Sequence, residues 1–486
     1  MKRKMLIRLV LVAGVTTMLA ACTSESDNSP SAKISYETVV AAQQVPVTFG
    51  TYIGEQAITR AGTPGSIEAI PDDPATVGVD ESKTIERVLA NKGGFGVFAY
   101  YTFTGTWNSA TGATDNGTYG GSVGTQITSP NFMYNQRVVG TDVDAPVWSY
   151  TPLKYWPNDY AAGNVGPSDG GYRAQGSKVS GVSFFAYAPY VLSPSVGTGI
   201  TAFTANDAPG DPKVSYTVAT TPDASVDLLW GVAGSSSVNT AGTAQTVTAG
   251  FPLVNQTKQT LTGNVTFAFN HALARLGLTV QAAKDLVAAG SSDSKELWDS
   301  DAANKTRIYV NSVTITSSMS TSGKLNLNNV AANTAKWEDL GVAASTTLTA
   351  AGSNLNPNLV YDNTKTLDDA SQKPGVLAKS FTTLMQTAGE DVYFMLIPQT
   401  TAGTINVAID YDVITQDANL ASNGTDTVSK VNNVITKTIS AINFKNGKAY
   451  TLNLVLGMTS VEVSATVSPW SNASDLDPVN LPINVN

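Results

Sequence analysis

From Val45 onward the chain is a succession of short runs of β-branched and aromatic residues, each cut off by Gly, Pro, Asn or Ser. That punctuation leaves no room for a framework of long helices. Val45, Val47, Phe49, Thr51 and Ile53 alternate with a second face, as one side of a strand does. Further β-prone runs fall at residues 95–101, 132–135, 184–187, 214–218, 265–269, 308–315, 392–397, 405–414, 450–456 and 461–467. Helical patterning is confined to 83–90 and 282–289. An all-β protein built of β-sandwiches is the expectation. The 486 residues are enough for two such domains. The Gly, Ser and Thr stretch at 234–250 is the candidate boundary, dividing the body into 45–240 and 241–470. Polar stretches at 108–129 and 159–178 read as surface loops.

The first 22 residues have a separate logic. Lys2, Arg3 and Lys4 precede an apolar segment, broken only by Arg8 and a few small residues, that leads through Leu19-Ala20-Ala21 to Cys22. This is the layout of a bacterial lipoprotein signal, with 1–21 removed, Cys22 lipidated and 22–44 serving as a flexible tether. Past it, no apolar run approaches the roughly 20 residues that span a bilayer, so membrane contact is expected through lipid. Cys22 is the single cysteine. A disulfide framework is therefore excluded, and stability must come from core size and β-pairing.

Composition limits the chemistry further. The net charge is -9, with 29 Lys and Arg against 38 Asp and Glu, and no basic patch suited to nucleic acid stands out. His271 is the sole histidine, which rules out multi-histidine metal sites and paired-histidine catalysis. Gly-x-Ser-x-Gly elbows, phosphate-binding Gly-Lys loops and calcium loops are all missing. Gly93-Gly94-Phe95-Gly96 runs into an apolar strand and reads as a turn. Asp72-Asp73 and Asp142 with Asp144 read as solvated acidic loops. No enzyme activity, cofactor or metal is expected. His271 reads as a packed, hydrogen-bonded residue at a strand end, and Trp148, Trp156, Tyr187 and Trp230 as core.

Several patches, in order, resemble the fimbrillin family of the Bacteroidales, lipoproteins that assemble into type V pili. They are Phe95-Gly96-Val97-Phe98-Ala99-Tyr100, Tyr134-Asn135-Gln136, Trp148-Ser149-Tyr150 with Lys154-Tyr155-Trp156-Pro157, and Phe184-Phe185-Ala186-Tyr187-Ala188-Pro189. Val226-Asp227-Leu228-Leu229-Trp230, Phe267 with Phe269-Asn270-His271-Ala272-Leu273-Ala274-Arg275, Ile397-Pro398-Gln399 and the stretch from Lys448-Ala449-Tyr450 to Val467-Ser468-Pro469-Trp470 complete the set. The resemblance implies two tandem transthyretin-like β-sandwiches, export to the cell outer membrane and surface fimbria, removal of an N-terminal strand by an arginine-specific protease, and head-to-tail polymerisation with other subunits by strand exchange. On that pattern the cut falls between Arg60 and Ala61, within Ile58-Thr59-Arg60-Ala61-Gly62, with Arg87 as the alternative site, and frees the strand holding Val45, Val47, Phe49 and Ile53.

The other end carries a matching feature. After a polar hinge within 471–478, Val479, Leu481, Ile483 and Val485 line one side of an extended strand, and such a face needs a surface to cover it. The groove left by residues 45–53 of a neighbour is the expected surface, while pairing within its own domain is the alternative. Pro482 and Pro46 are comparably placed residues that cannot donate to a ladder. Rival expectations are an anchor or tip adhesin, or a surface lipoprotein holding host glycans or matrix proteins through its loops.

Overall fold

The computed structural model describes Val47 and residues 49–51, 93–102, 107–108, 112–113, 130–140, 148–156, 181–194, 196–208, 210–234, 237–240, 243–246, 248–256, 265–283, 306–367, 369, 371–376, 381–417, 419–420, 427–457, 459–470 and 479–481. The chain divides at Gln44/Val45, and all of these residues belong to the second unit, Val45–Asn486. Strands dominate it, and among the described residues the only helical turns are short 3-10 segments at Gly352–Asn354 and Pro357–Leu359. The all-β expectation holds. The helical pattern at 83–90 and most of that at 282–289 lie outside the described residues, but Ala282 itself ends the strand Ala274–Ala282.

Three large sheets carry the architecture. An 8-stranded sheet runs in the order Phe49–Thr51, Val265–His271, Leu229–Val232, Gly181–Ala188, Phe95–Thr102, Met133–Gly140, Trp148–Ser149, with Leu253–Gln256 also paired to Gly181–Ala188. Its central strands are apolar on both faces. Phe95, Val97, Ala99, Phe184 and Ala186 enter one core, while Phe98, Tyr100, Phe185 and Tyr187 enter another. This double burial explains why those segments read as unbroken apolar runs rather than alternating ones. Gly94, at φ +87°, turns the chain into the first of them where a Cβ would lie 1.8 Å from the Val138 carbonyl oxygen.

A 6-stranded sheet follows the order Val428–Ile439, Ala402–Gln416, Thr306–Asn326, Lys213–Thr217, Gly199–Phe203, with Lys336–Ala351 on the opposite edge of Thr306–Asn326. The 21-residue strand Thr306–Asn326 bends through register shifts and changes partner along one edge. Residues 306–318 pair with Ala402–Gln416, and residues 322–326 pair with Lys213–Thr217. A second 6-stranded sheet holds Thr382–Thr383, Ala274–Ala282, Lys448–Leu456, Val461–Pro469 and Val479–Leu481, with Phe394–Leu396 also on Ala274–Ala282. The larger core draws on all three sheets, through residues such as Trp230, Tyr216, Ile409, Leu278 and Leu454.

Strands from both sides of 234–250 share sheets. Lys213–Thr217 pairs with Thr306–Asn326, and Val265–His271 pairs with Leu229–Val232. Within 234–250 itself, Ser237–Thr240 and Thr243–Thr246 form a separate hairpin.

Candidate functional site

The edge of the 8-stranded sheet carries the strand Phe49–Thr51, which runs parallel to Val265–His271 in the register Phe49↔Val265, Gly50↔Thr266, Thr51↔Phe267. Val47 and Phe49, two residues apart, are both buried. The Phe49 ring lies among those of Phe95, Tyr150, Phe184 and Phe267, with centroids 5.3–6.2 Å away. Three of these contacts are edge-to-face, a favoured aromatic geometry. Phe95, Phe184 and Phe267 reach the pocket from three different strands of the sheet, because all three side chains enter the same core.

Polar contacts hold the backbone just before Phe49. The Val47 amide donates to the Lys154 carbonyl oxygen at 2.9 Å. The Tyr150 hydroxyl donates to the Val47 carbonyl oxygen at 2.9 Å and accepts from the Lys154 amide at 3.1 Å. Burial pushes the Tyr150 hydroxyl up to about 12, with the Lys154 backbone bond opposing and Tyr155 adding to the rise, so it stays a donor at any ordinary pH. Among the described residues this edge strand has a single ladder neighbour, Val265–His271.

The second feature lies where the chain passes from one sheet to another. His271 ends Val265–His271, and after Ala272 and Leu273 the chain continues as Ala274–Ala282 in a different sheet. His271 Nδ1 sits 2.6 Å from Asp227 Oδ2, and Asp227 Oδ1 accepts from the Leu228 amide at 2.8 Å. The imidazole stacks on the Trp470 indole, 3.8 Å between centroids and 12° between planes. Arg275 lies over the Tyr393 ring at 4.2 Å and over Trp470 at 5.4 Å. The Trp470 amide donates to Gly447 O, and the Gly447 amide donates to Leu273 O. The end of Val461–Pro469 is thereby fixed to the crossover immediately before the 471–478 stretch. His271 is packed and hydrogen-bonded, and Trp156, Tyr187 and Trp230 are buried in the cores, while Trp148 is half-buried against Phe95.

Beyond Trp470, the described strand Val479–Leu481 pairs antiparallel with Val461–Pro469, in the register Ala465↔Leu481, Thr466↔Asn480, Val467↔Val479. Val479 and Leu481 therefore occupy the outer edge of their own chain's sheet. Ile483, Val485, Val45, Ile53, Arg60, Ala61 and Cys22 lie outside the described residues, as do Asp72, Asp73, Asp142 and Asp144. Sequence reasoning named Val47 and Phe49 but missed Tyr150 and Lys154 as the clamp, and Asp227 as the partner of His271. Among the described residues, no group of three or more His, Cys, Asp or Glu is placed to hold a metal ion, and no helix is long and apolar enough to cross a membrane.

These features define an all-β protein of several sheets with a plugged edge groove in one sheet and a short edge strand on another. A crystal structure of a fimbrial protein from Bacteroides vulgatus has a similar fold, with a TM-score of 0.51 at 20% identity over 88% of this chain and 99% of that one. In sequence the chain is similar to "Fimbrium subunit Fim1C" of Phocaeicola vulgatus, a member of the Bacteroidales, at 25% identity over 433 residues, 84% of this chain and 92% of the relative. No family model matches the chain. The resemblance to fimbrillins read in the sequence patches is shown by this relative.

Proposed function

We propose that this chain is a structural, non-catalytic subunit of a cell-surface fimbria that polymerises by strand exchange. It is exported as a lipoprotein, with Cys22 tethering the precursor to the outer membrane. An arginine-specific protease cuts between Arg60 and Ala61, and the strand with Val45, Val47, Phe49 and Ile53 leaves the groove. Val479, Leu481, Ile483 and Val485 of a neighbouring copy then fill it. The name of the Phocaeicola vulgatus relative, a fimbrium subunit, supports the same reading.

The observation that carries the proposal is the plugged edge. Phe49 is 4% exposed yet belongs to a strand with one ladder neighbour among the described residues, and removing it uncovers the rings of Phe95, Phe184 and Phe267 together with the edge of Val265–His271 that it covers. Four donor side chains at about 1.5–3 kcal/mol each supply about 6–12 kcal/mol before ordering costs, with ladder hydrogen bonds setting the alignment. Because donor and groove are different surfaces, the contact propagates head to tail instead of closing a dimer.

Truncation after Trp470 tests the proposal. The truncated chain is expected to fold, with an unchanged circular dichroism spectrum, and to add no length to filaments after protease treatment. Filaments of normal length from it would refute strand donation by residues 479–486.

A further inference from the structure

We infer that the contacts around His271 and Trp470 form a mechanical latch, which carries tension from the 8-stranded sheet straight to the C-terminal segment and keeps the second 6-stranded sheet out of the load path. That tension acts on the chain in a filament rests on the fimbrial reading above; the latch itself is a property of the single chain. Load applied to Val265–His271 runs along that strand to His271 and through Ala272 and Leu273 into Ala274–Ala282. It leaves after Trp470, where the C-terminal segment begins. Both points lie at one end of the second 6-stranded sheet. Arg275 is level with Ala449 in the parallel pair, and Lys448 is opposite Pro469 in the antiparallel one. Strands drawn apart from a common end lose their ladder bonds one at a time, each bond taking the whole load in turn. Strands drawn along their length share the load among all their bonds. The ladder alone is therefore loaded in its weaker direction.

The contacts that close this end bridge the two load points directly. The Trp470 amide donates to the Gly447 carbonyl oxygen at 2.9 Å, and the Gly447 amide donates to the Leu273 carbonyl oxygen at 2.9 Å. The Trp470 indole, 6% exposed, lies flat on the His271 imidazole with 3.8 Å between centroids, and the Arg275 guanidinium stands 5.4 Å from its ring. Its Nε1 has no hydrogen-bond partner among the described residues, so the ring is held by its faces. His271 is in turn anchored away from the second 6-stranded sheet. Its Nδ1 is 2.6 Å from Asp227 Oδ2, Asp227 Oδ1 accepts from the Leu228 amide, and the Leu228 carbonyl oxygen accepts from the Ala272 amide at 2.8 Å. Leu229 pairs with His271 in the adjoining strand Leu229–Val232. Force entering at Trp470 thus reaches two strands of the 8-stranded sheet without crossing Lys448–Leu456 or Val461–Pro469.

The chain between His271 and Trp470 is roughly 200 residues, about 65–70 nm when drawn out at about 3.3–3.6 Å per residue. While the latch holds, that length is shielded from load. Once it opens, the sheet is peeled from its exposed end and the length is released.

The test holds single full-length chains at constant force in magnetic tweezers. One handle is attached at Asn264→Cys, just ahead of Val265–His271, in a Cys22→Ser background, and the other at the C-terminus. The C-terminal segment is expected to straighten by about 5 nm, followed by a waiting time and then release of about 65–70 nm. Trp470→Ala is expected to shorten the waiting time about 100-fold, and Trp470→Phe, which keeps a ring on His271, to restore it to within about tenfold. Leu454→Ala removes a fully buried side chain from the core behind the second 6-stranded sheet and lowers the urea midpoint, yet it is expected to leave the waiting time within about threefold. That contrast separates load bearing from ordinary packing. Equal shortening by Leu454→Ala and Trp470→Ala overturns the inference, because the whole sheet then bears the load. An unchanged waiting time in Trp470→Ala overturns it as well, as does release that begins in small steps with no waiting time in the unaltered chain. All of these are read on single chains, so a failed latch leaves strand exchange standing, and normal filaments from the chain truncated after Trp470 leave the latch standing.

Discussion

Replacing Phe49 with alanine measures whether the edge strand is a separable plug. Phe49 is 4% exposed, and its ring meets four others. Truncating a buried phenylalanine costs about 3–5 kcal/mol, the cavity included. Phe49–Thr51 has one ladder neighbour and the clamp at Val47, so that cost falls on the local equilibrium between docked and undocked strand and not on the whole sheet. A loss of about 3–4 kcal/mol raises the undocked population by about 10²- to 10³-fold. Hydrogen exchange read by mass spectrometry on peptides covering the Val47 amide should accelerate by that factor. Peptides from the central strand Phe95–Thr102 should keep their wild-type rates. Equal acceleration in both would show that the strand opens only with the sheet, and unchanged rates in both would show that the ring pocket does not hold it; either result refutes the reasoning.

Three further outcomes follow from the same structure. Asp227→Ala strips His271 of its partner and leaves the Leu228 amide without its acceptor, so urea unfolding should show a loss of about 3 kcal/mol. Gly96→Ala would place a Cβ 2.2 Å from the Tyr187 ring in the middle of the 8-stranded sheet, and soluble yield and the unfolding midpoint should both fall. Glu338 is held down to about 2, since hydrogen bonds from Lys213, Lys336 and Asn326 outweigh the opposing effect of burial. Because the folded carboxyl is depressed from 4.5, its stabilisation is present in full above pH about 4.5 and is lost as pH falls towards about 2. Glu338→Gln should therefore cost about 1–2 kcal/mol at pH 6, solvent screening included, and less than about 0.5 kcal/mol at pH 2 in urea titrations.

The strands that face a core were legible because their chemistry shows. Phe95–Thr102 and Gly181–Ala188 are apolar on both faces, and Val461–Pro469 alternates as a half-buried strand does. Lys336–Ala351 and Val428–Ile439 were not legible, since few of their residues are buried and their apolar residues do not track burial: Leu340, Val342, Val431 and Val434 are exposed. The second half of Thr306–Asn326 is rich in Ser yet partly buried. Ser320 is 2% exposed, and its amide donates to Gln399 Oε1 at 2.5 Å, a pairing across 79 residues that no local pattern announces. The same holds for the candidate site. The alternation of Val47 and Phe49 marked a strand, but its parallel partner at Val265–His271 and its clamp at Tyr150 are set by tertiary packing over long sequence separations. His271 was recognisable as a packed residue, whereas its stacking on Trp470 depends on two strand ends that meet only in the finished fold.

N-terminal sequencing of the subunit released from sheared surface filaments tests the central claim most directly. Strand exchange after processing predicts a start at Ala61, with the segment carrying Val47 and Phe49 gone from every polymerised copy. A blocked, lipidated start at Cys22 in those filaments would contradict it, because the groove would still hold its own strand.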